Sequence, residues 1–277
     1  VSAALGRLRH LLGDELFFRS GKTFKPTQFA LSLESPLRDV LGQVENLITG
    51  SDTFDPATSD ARLRISGSDF FAEMLMPALT ERLQIAAPLM TAQLVNMPPG
   101  KSFEALTMYD VDLVLNPEMD LPDWAEEQFL FKSEYCVIAR AGHPRLARAG
   151  VKPGQVVPLD LFCDIGHVLF SLDGRTKAQG DAALARIGRR RRVVTTLPAF
   201  SGVYRVVARS DLIALLPSSL AHHVARTAGL EVFLPPVSLP ATVIMMVWHW
   251  RMNRDPAHRW LRQQVTELLS DLEEYPG

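Results

Sequence analysis

From Ala61 onward, short apolar runs alternate with helical periodicities, and few folds accept that pattern twice in succession. Arg62 to Ser66 reads as a strand, Asp69 as the cap of a helix reaching about Ala86, and Met90 to Asn96 as a strand. Lys101 to Tyr109 follows as a helix, Val111 to Asn116 as a strand, and Tyr135 to Arg140 as another strand that His143-Pro144 ends. The second round runs from a strand at His167 to Leu172, through a helix at Asp181 to Ile187, to a strand at Val193 to Leu197. It continues with a helix at Ala199 to Arg209, a strand at Leu212 to Leu216, a helix at Ser219 to Ala228 and a strand at Glu231 to Leu234. An apolar strand, Ala241 to Trp250, precedes a last helix that Asp255 caps and Pro256 begins, with Leu261, Val265 and Leu269 on its buried face. Such alternation predicts an α/β fold of two lobes, each a parallel sheet covered by helices, with a cleft between them.

The amino-terminal stretch follows a different rhythm. In VSAALGRLRHLLGD, Val1, Ala4, Leu5, Leu8, Leu11 and Leu12 fall on one helical face, and Gly13 supplies the stop. The opposite face holds Ser2, Ala3, Gly6, Arg9 and His10: small side chains, then cations. GDELFFRSGKTFKPT then reads as two extended pieces, Leu16 to Arg19 and Thr23 to Lys25, joined at Ser20-Gly21-Lys22. A helix with a small-residue face followed by a cationic hairpin is the back half of a winged helix-turn-helix. Arg7, Arg9, Arg19, Lys22 and Lys25 against Asp14 and Glu15 leave this segment at +3, while the whole chain, with 29 Lys and Arg against 31 Asp and Glu, carries −2. The basic footprint therefore lies here, and a protein that coats nucleic acid through its overall charge is excluded.

These residues resemble the end of the DNA-binding domain of LysR-type transcriptional regulators. There the recognition helix reads Ser-Gln-Pro-Ala-Val-Ser followed by leucine positions, then Leu-Gly-x-x-Leu-Phe-x-Arg and a wing ending in Thr. WHWRMNRDPAHRWLRQQV, near the other end of the chain, is also close to that family's pattern. The resemblance implies a partial winged helix-turn-helix at residues 1–26 and a dimerising linker helix at 27–53. It further implies a periplasmic-binding-protein-like effector region, with lobe I formed by 61–140 and 241–277 and lobe II by 141–240. Because the chain opens at Val1, the earlier helices of the domain are expected upstream, and the chain as given is expected to bind DNA poorly. Ser2, Arg7, Arg9, Arg19, Lys22 and Lys25 are the expected contacts to double-stranded promoter DNA, with Arg9 and Arg19 on phosphates.

Phe29, Leu33, Leu37, Val40, Leu41, Val44, Leu47 and Ile48 keep helical spacing across the linker despite Pro36. A lone helix with one apolar stripe is marginal in water, so a partner is expected, either a second subunit in a homodimer or homotetramer or the chain's own core.

The remaining composition narrows the function classes. With 47% hydrophobic and 22% charged residues, the 277-residue chain has the makeup of a globular protein with cores of its own. Two cysteines, Cys136 and Cys163, are too few for a disulfide framework or a four-ligand zinc site. No apolar run approaches the ~18 residues of a membrane helix, so a cytoplasmic protein without a membrane partner is expected. There is no Gly-x-Ser-x-Gly, P-loop, Ser-x-x-Lys or His-Glu-x-x-His pattern, so no catalytic residue, metal site or cofactor is expected and the chain reads as a non-enzyme.

Ligand candidates come from strand ends, where open α/β sheets bind. Ser66-Gly67-Ser68-Asp69-Phe70 and Asn96-Met97-Pro98-Pro99 belong to one lobe, and His167 and Leu197-Pro198-Ala199-Phe200 to the other. On residues alone these fit an ordinary cap, a turn and a packed loop equally well. The resemblance implies an effector pocket between the lobes, touched by Ser68, Asp69, Phe70, Met97, Pro98, His167, Ala199 and Phe200. It is nearest to regulators answering aromatic acids or plant phenolics, where the imidazole at His167 would bond the effector. Relatives sensing salicylate-like acids have histidine where this chain has Ala199, which implies a less acidic or bulkier effector here. Two alternatives share the two-lobed half: a solute-binding protein and an enzyme grown on the same fold. The run Arg189 to Arg192 follows a helix stop at Gly188 and is expected to be a solvated lobe edge rather than a DNA contact.

Overall fold

The computed structural model describes residues 2–20, 23–49, 54–97, 100–108, 110–270 and 272. They form two compact units, Val1–Phe54 and Asp55–Gly277.

The first unit contains α1 (Ser2–Leu12), the hairpin strands β1 (Phe17–Ser20) and β2 (Thr23–Pro26), and α2 (Gln28–Thr49). Gly13 adopts φ +65°, and its N–H donates to the Arg9 carbonyl at 2.9 Å, as a left-handed helix stop requires. Three residues later Leu16 also has positive φ, 60°, which costs a branched side chain roughly 1–3 kcal/mol. Its surroundings hold it there. The Leu16 N–H donates to Asp14 Oδ1 at 2.6 Å, the Thr27 hydroxyl donates to the same oxygen at 2.8 Å, and the Thr27 N–H donates to the Leu16 carbonyl at 2.9 Å. Thr27 Oγ1 accepts from the Ala30 N–H at 3.0 Å, so one knot ties helix, hairpin and the start of α2 together. α2 runs through Pro36, and Phe29, Leu37, Val40, Leu41 and Val44 are exposed.

The second unit begins with β3 (Arg62–Ser66), α3 (Asp69–Met74), α4 (Met76–Ala86), β4 (Thr91–Val95), α5 (Lys101–Thr107), β5 (Leu113–Pro117), β6 (Ala125–Ser133) and β7 (Tyr135–Arg140). It continues with α6 (Pro144–Arg148), α7 (Leu159–Asp164), β8 (Gly166–Phe170), α8 (Gln179–Arg186), β9 (Arg192–Leu197) and α9 (Phe200–Ala208). The last elements are β10 (Ala214–Pro217), α10 (Ser218–Ala228), β11 (Leu230–Phe233), β12 (Thr242–His249), a 3-10 turn at Trp250–Arg254, and α11 (Pro256–Leu269). The expected single helix from Asp69 breaks at Leu75, because Pro77 has no N–H to donate to the Glu73 carbonyl and its ring crowds that turn.

The first lobe is a five-stranded sheet in the order β4-β3-β5-β12-β6. β3 lies parallel to β4 and β5, whereas β12 runs antiparallel to β5 and β6. In the second lobe β8 pairs parallel with β9, and β7 lies antiparallel between β10 and β11. Backbone hydrogen bonds from the Val168 N–H to the Ile213 carbonyl (2.9 Å) and from the Ile213 N–H to the Gly166 carbonyl (3.0 Å) bring β8 beside the start of β10. The second lobe thus repeats the first as β9-β8-β10-β7-β11. Two expectations are corrected. The sheets are mixed rather than parallel, since β12 and β7 each run against their neighbours. The first crossing falls between Ser133 and Tyr135 rather than near Arg140: β6, a strand the sequence hides, closes lobe I, and β7 already belongs to lobe II.

Each lobe has its own core. Val137, Leu146, Phe162, Ile165, Leu184, Ile213 and Phe233 fill lobe II, and Leu106, Val111, Val114, Met245 and Val247 pack in lobe I. α11 returns to lobe I: Leu261, Val265 and Leu269 are fully buried, Arg82 donates to Gln264 and Glu267, and the His258 ring bonds the Asp112 carbonyl at 3.0 Å.

Candidate functional site

A cavity of about 400 Å³ lies between the lobes, within the ~300–1,000 Å³ range of small-molecule sites. Strand ends build it. Ser66 closes β3, Asn96 and Met97 follow β4, Asn116 and Pro117 end β5, Phe170 ends β8 and Pro217 ends β10. Its floor is the pair of crossings, with Ser133 and Tyr135 on one and Thr242 and Ile244 on the other. Aromatic rings form much of the wall. Phe70 meets Phe71 edge-on at 5.2 Å and stacks on Phe131 at 5.9 Å, and across the cleft Phe170 and Phe200 stack at 3.9 Å. Gly67 permits the close packing here, since a Cβ on it would come within 2.7 Å of the Phe71 ring.

Polar groups are few. The Ser66 and Ser102 hydroxyls lie 3.5 Å apart, and the Tyr135 hydroxyl and Thr242 Oγ1 bond across the crossings at 3.0 Å. Ser133 Oγ is buried without a hydrogen-bond partner. Lobe I grips lobe II beside the cavity: the Phe200 and Ser201 N–H groups donate to the Asp69 carboxylate at 2.9 and 2.8 Å, and the Tyr204 hydroxyl donates to Glu73 at 2.9 Å. Burial, with that carboxylate alongside, raises the Tyr204 pKa, so the hydroxyl stays a donor.

Of the residues expected from the sequence, Ser68, Phe70, Met97 and Phe200 border the cavity. Asp69 bridges the lobes, Ala199 is the N-cap residue of α9, and Pro98 lies outside the described residues. His167 is elsewhere. It sits at the amino end of β8, wholly buried, whereas the cavity collects carboxyl ends, and the residue of β8 that reaches it is Phe170. The His167 Nε2–H donates to the Phe162 carbonyl at 2.8 Å, and Nδ1 accepts from Arg191 at 3.4 Å. Burial, reinforced by the nearby guanidinium, lowers its pKa to about 4, so the ring is a neutral core pin.

Sequence comparison matches residues 57–270 to the LysR substrate binding domain. The match spans most of the chain. The chain belongs to the LysR family of transcriptional regulators. It is 31% identical to the HTH-type transcriptional activator NahR of Pseudomonas putida, over 98% of this chain and 88% of that protein. It is 30% identical to Nodulation protein D 1 of Sinorhizobium fredii, over 99% of this chain and 83% of that protein. Among solved structures, a probable transcriptional regulator of Pseudomonas aeruginosa superimposes with a TM-score of 0.72 at 31% identity, covering 96% of this chain and 86% of that one.

In this LysR-type chain the two-lobed unit is the effector-binding region, and the cavity is its cleft. On the other unit, Arg7 and Lys25 are exposed and Arg19 lies opposite Phe24 on the hairpin. Arg9 is committed locally, donating to the Glu15 and Phe17 carbonyls at 2.7 and 3.2 Å. Ser2 opens α1, and Lys22 lies outside the described residues. The arginine run after Gly188 also departs from expectation, because Arg191 is buried rather than solvated and is paired with Asp181 at 2.8 Å. Among the described residues no helix is long and apolar enough to cross a membrane.

Proposed function

We propose that this LysR-type regulator binds double-stranded promoter DNA in the cytoplasm as a homodimer or homotetramer and is controlled by an aromatic effector held in the cleft. The aromatic wall over the two lobe crossings carries this reading. Flat ring faces select flat ligands, and a ligand resting on the crossings favours one lobe angle over another. The exposed apolar stripe of α2 supports pairing of subunits, and exposed Arg7 and Lys25, with Arg19 on the hairpin, support phosphate contacts.

The deciding experiment is a thermal-shift panel of aromatic acids, phenols and aliphatic acids, with Phe170→Ala as the control. A raised melting temperature with aromatics that the variant loses is the expected result. A response confined to aliphatic acids defeats the reading.

A further inference from the structure

A second space lies on the lobe II side of the crossings. It is a groove of about 810 Å³, walled by Pro153 and Val156 from the loop after α6, Phe233 at the end of β11, and Pro235, Pro236 and Leu239 beyond it. That volume is within the ~300–1,000 Å³ range of small-molecule sites. Its placement sets it apart. Glu134 is the single residue between β6 and β7, so it is itself the first crossing, and Pro235, Pro236 and Leu239 belong to the second, the stretch between β11 and β12. Tyr135 borders both the groove and the cleft, and its hydroxyl bonds Thr242 across the crossings at 3.0 Å.

Charge decides what the groove accepts. Its lining holds no lysine or arginine, and Glu134 supplies its only carboxylate. That carboxylate is exposed and forms no ion pair among the described residues, not even with Lys152, which precedes the lining residue Pro153. The backbone that carries it is anchored, because the Glu134 carbonyl accepts from the Ser218 N–H at 2.8 Å in the first turn of α10. His222 directs Nδ1 to the Ser218 carbonyl at 2.8 Å. Burial pushes the Cys136 thiol up to about 12, so it adds no charge at neutral pH. An anion entering the groove meets Glu134 with a like charge, whereas a cation with an apolar body finds a counter-charge beside proline and leucine walls.

We propose that this groove is a second ligand site, taking an organic cation with an apolar body, such as an arylalkyl amine, and that its occupancy sets the angle between the lobes. The ammonium pairs with Glu134 while the body packs on Pro235, Pro236 and Leu239, so one ligand holds both crossings at once. Hinge residues absorb the backbone rotation that lobe movement requires, and a ligand bridging them favours the angle it fits.

Phenethylamine, phenethyl alcohol and phenylacetate have similar apolar bodies and differ in charge, and calorimetric titration of the full chain with each at neutral pH tests the site. The amine is expected to bind about fivefold more tightly than the alcohol, with the preference fading in high salt, and the carboxylate to bind weakest. Glu134→Gln, an exposed isosteric change that leaves the melting temperature level, is expected to abolish the amine's preference. Glu118→Gln, at the mouth of the cleft, is expected to leave it intact, and Val156→Trp, which fills the groove, to remove binding. The amine is also expected to alter the solution scattering profile of the parent. Failure of the amine to bind overturns the site, and so does a carboxylate bound as tightly as the amine. A preference that survives Glu134→Gln, or is lost in Glu118→Gln, overturns it too. Amine binding with an unaltered scattering profile overturns the control of lobe angle.

Discussion

The carboxylate of Asp69 accepts a hydrogen bond from the Phe200 N–H at 2.9 Å, so the first turn of α3 in one lobe caps the first turn of α9 in the other. The contact spans 131 positions of sequence and, with Ser201 alongside, closes the cleft from one side. A helix cap is ordinarily local. Here it joins the two lobes, alongside the hydrogen bond from the Tyr204 hydroxyl to Glu73.

Asp69→Ala removes that grip. The variant is expected to lose about 1–2 kcal/mol in chemical denaturation, the usual worth of an N-cap, and to show a larger radius of gyration in solution scattering. An unchanged radius would mean that other contacts hold the lobes.

Acid should unfold the effector unit early. His167 and His258 both have pKa values lowered to about 4 by burial, against an ordinary 6.5. Between those values the unfolded chain binds protons that the folded chain refuses, so stability is complete above pH 6.5 and falls as pH drops toward 4. The loss is on the order of 3 kcal/mol per imidazole. His167→Phe is expected to flatten this slope by roughly half. An undiminished slope would show that the imidazole titrates as if exposed.

Arg191 and Asp181 form a buried ion pair, the arginine side chain being 1% exposed. Arg191→Met leaves a part-buried carboxylate without its partner and is expected to cost about 3 kcal/mol in urea unfolding. Arg190→Ala, one residue away and exposed, is expected to stay within about 0.5 kcal/mol of the parent. Equal effects would contradict the assignment.

Leu41 is 59% exposed in the apolar stripe of α2. Leu41→Glu places a charge there and is expected to reduce the mass seen by light scattering toward a single chain, with the effector unit still folded. Retention of the parent mass would place the subunit contact elsewhere.

For the DNA side, Lys25→Ala in a chain carrying the complete binding domain should weaken binding to all sequences alike. It should also reduce the slope of log affinity against log salt by about 1. A slope equal to the parent's removes Lys25 from the phosphate contacts.

The sequence revealed the lobes and hid how they are joined. Strands such as β3, with Leu63 and Ile65 inward and Arg62 outward, declare themselves by alternation. β6 does not: AEEQ opens it, as suits a sheet edge, and it passes for a loop. Ser133, Tyr135 and Thr242 were missed with it, because they become neighbours only when the two crossings meet. Phe170 was within reach, since the rule that clefts gather carboxyl ends of strands selects it over His167 on the same strand. The arginine run reads as solvated because charge runs usually are, and only the fold brings Asp181 and His167 to Arg191.

The repeat of strand order has a kinetic meaning. β7 through β11 are consecutive, so lobe II can assemble from one unbroken stretch as it leaves the ribosome. Lobe I cannot, because its fourth strand, β12, and its covering helix α11 are synthesised after all of lobe II. Until they arrive, β5 and β6 lack the strand that lies between them, and β6 has no partner at all. A release factor or protease acting near residue 240 would therefore leave one finished lobe and one adhesive half-sheet. The stretch translated after lobe II decides whether the first lobe begun is ever soluble.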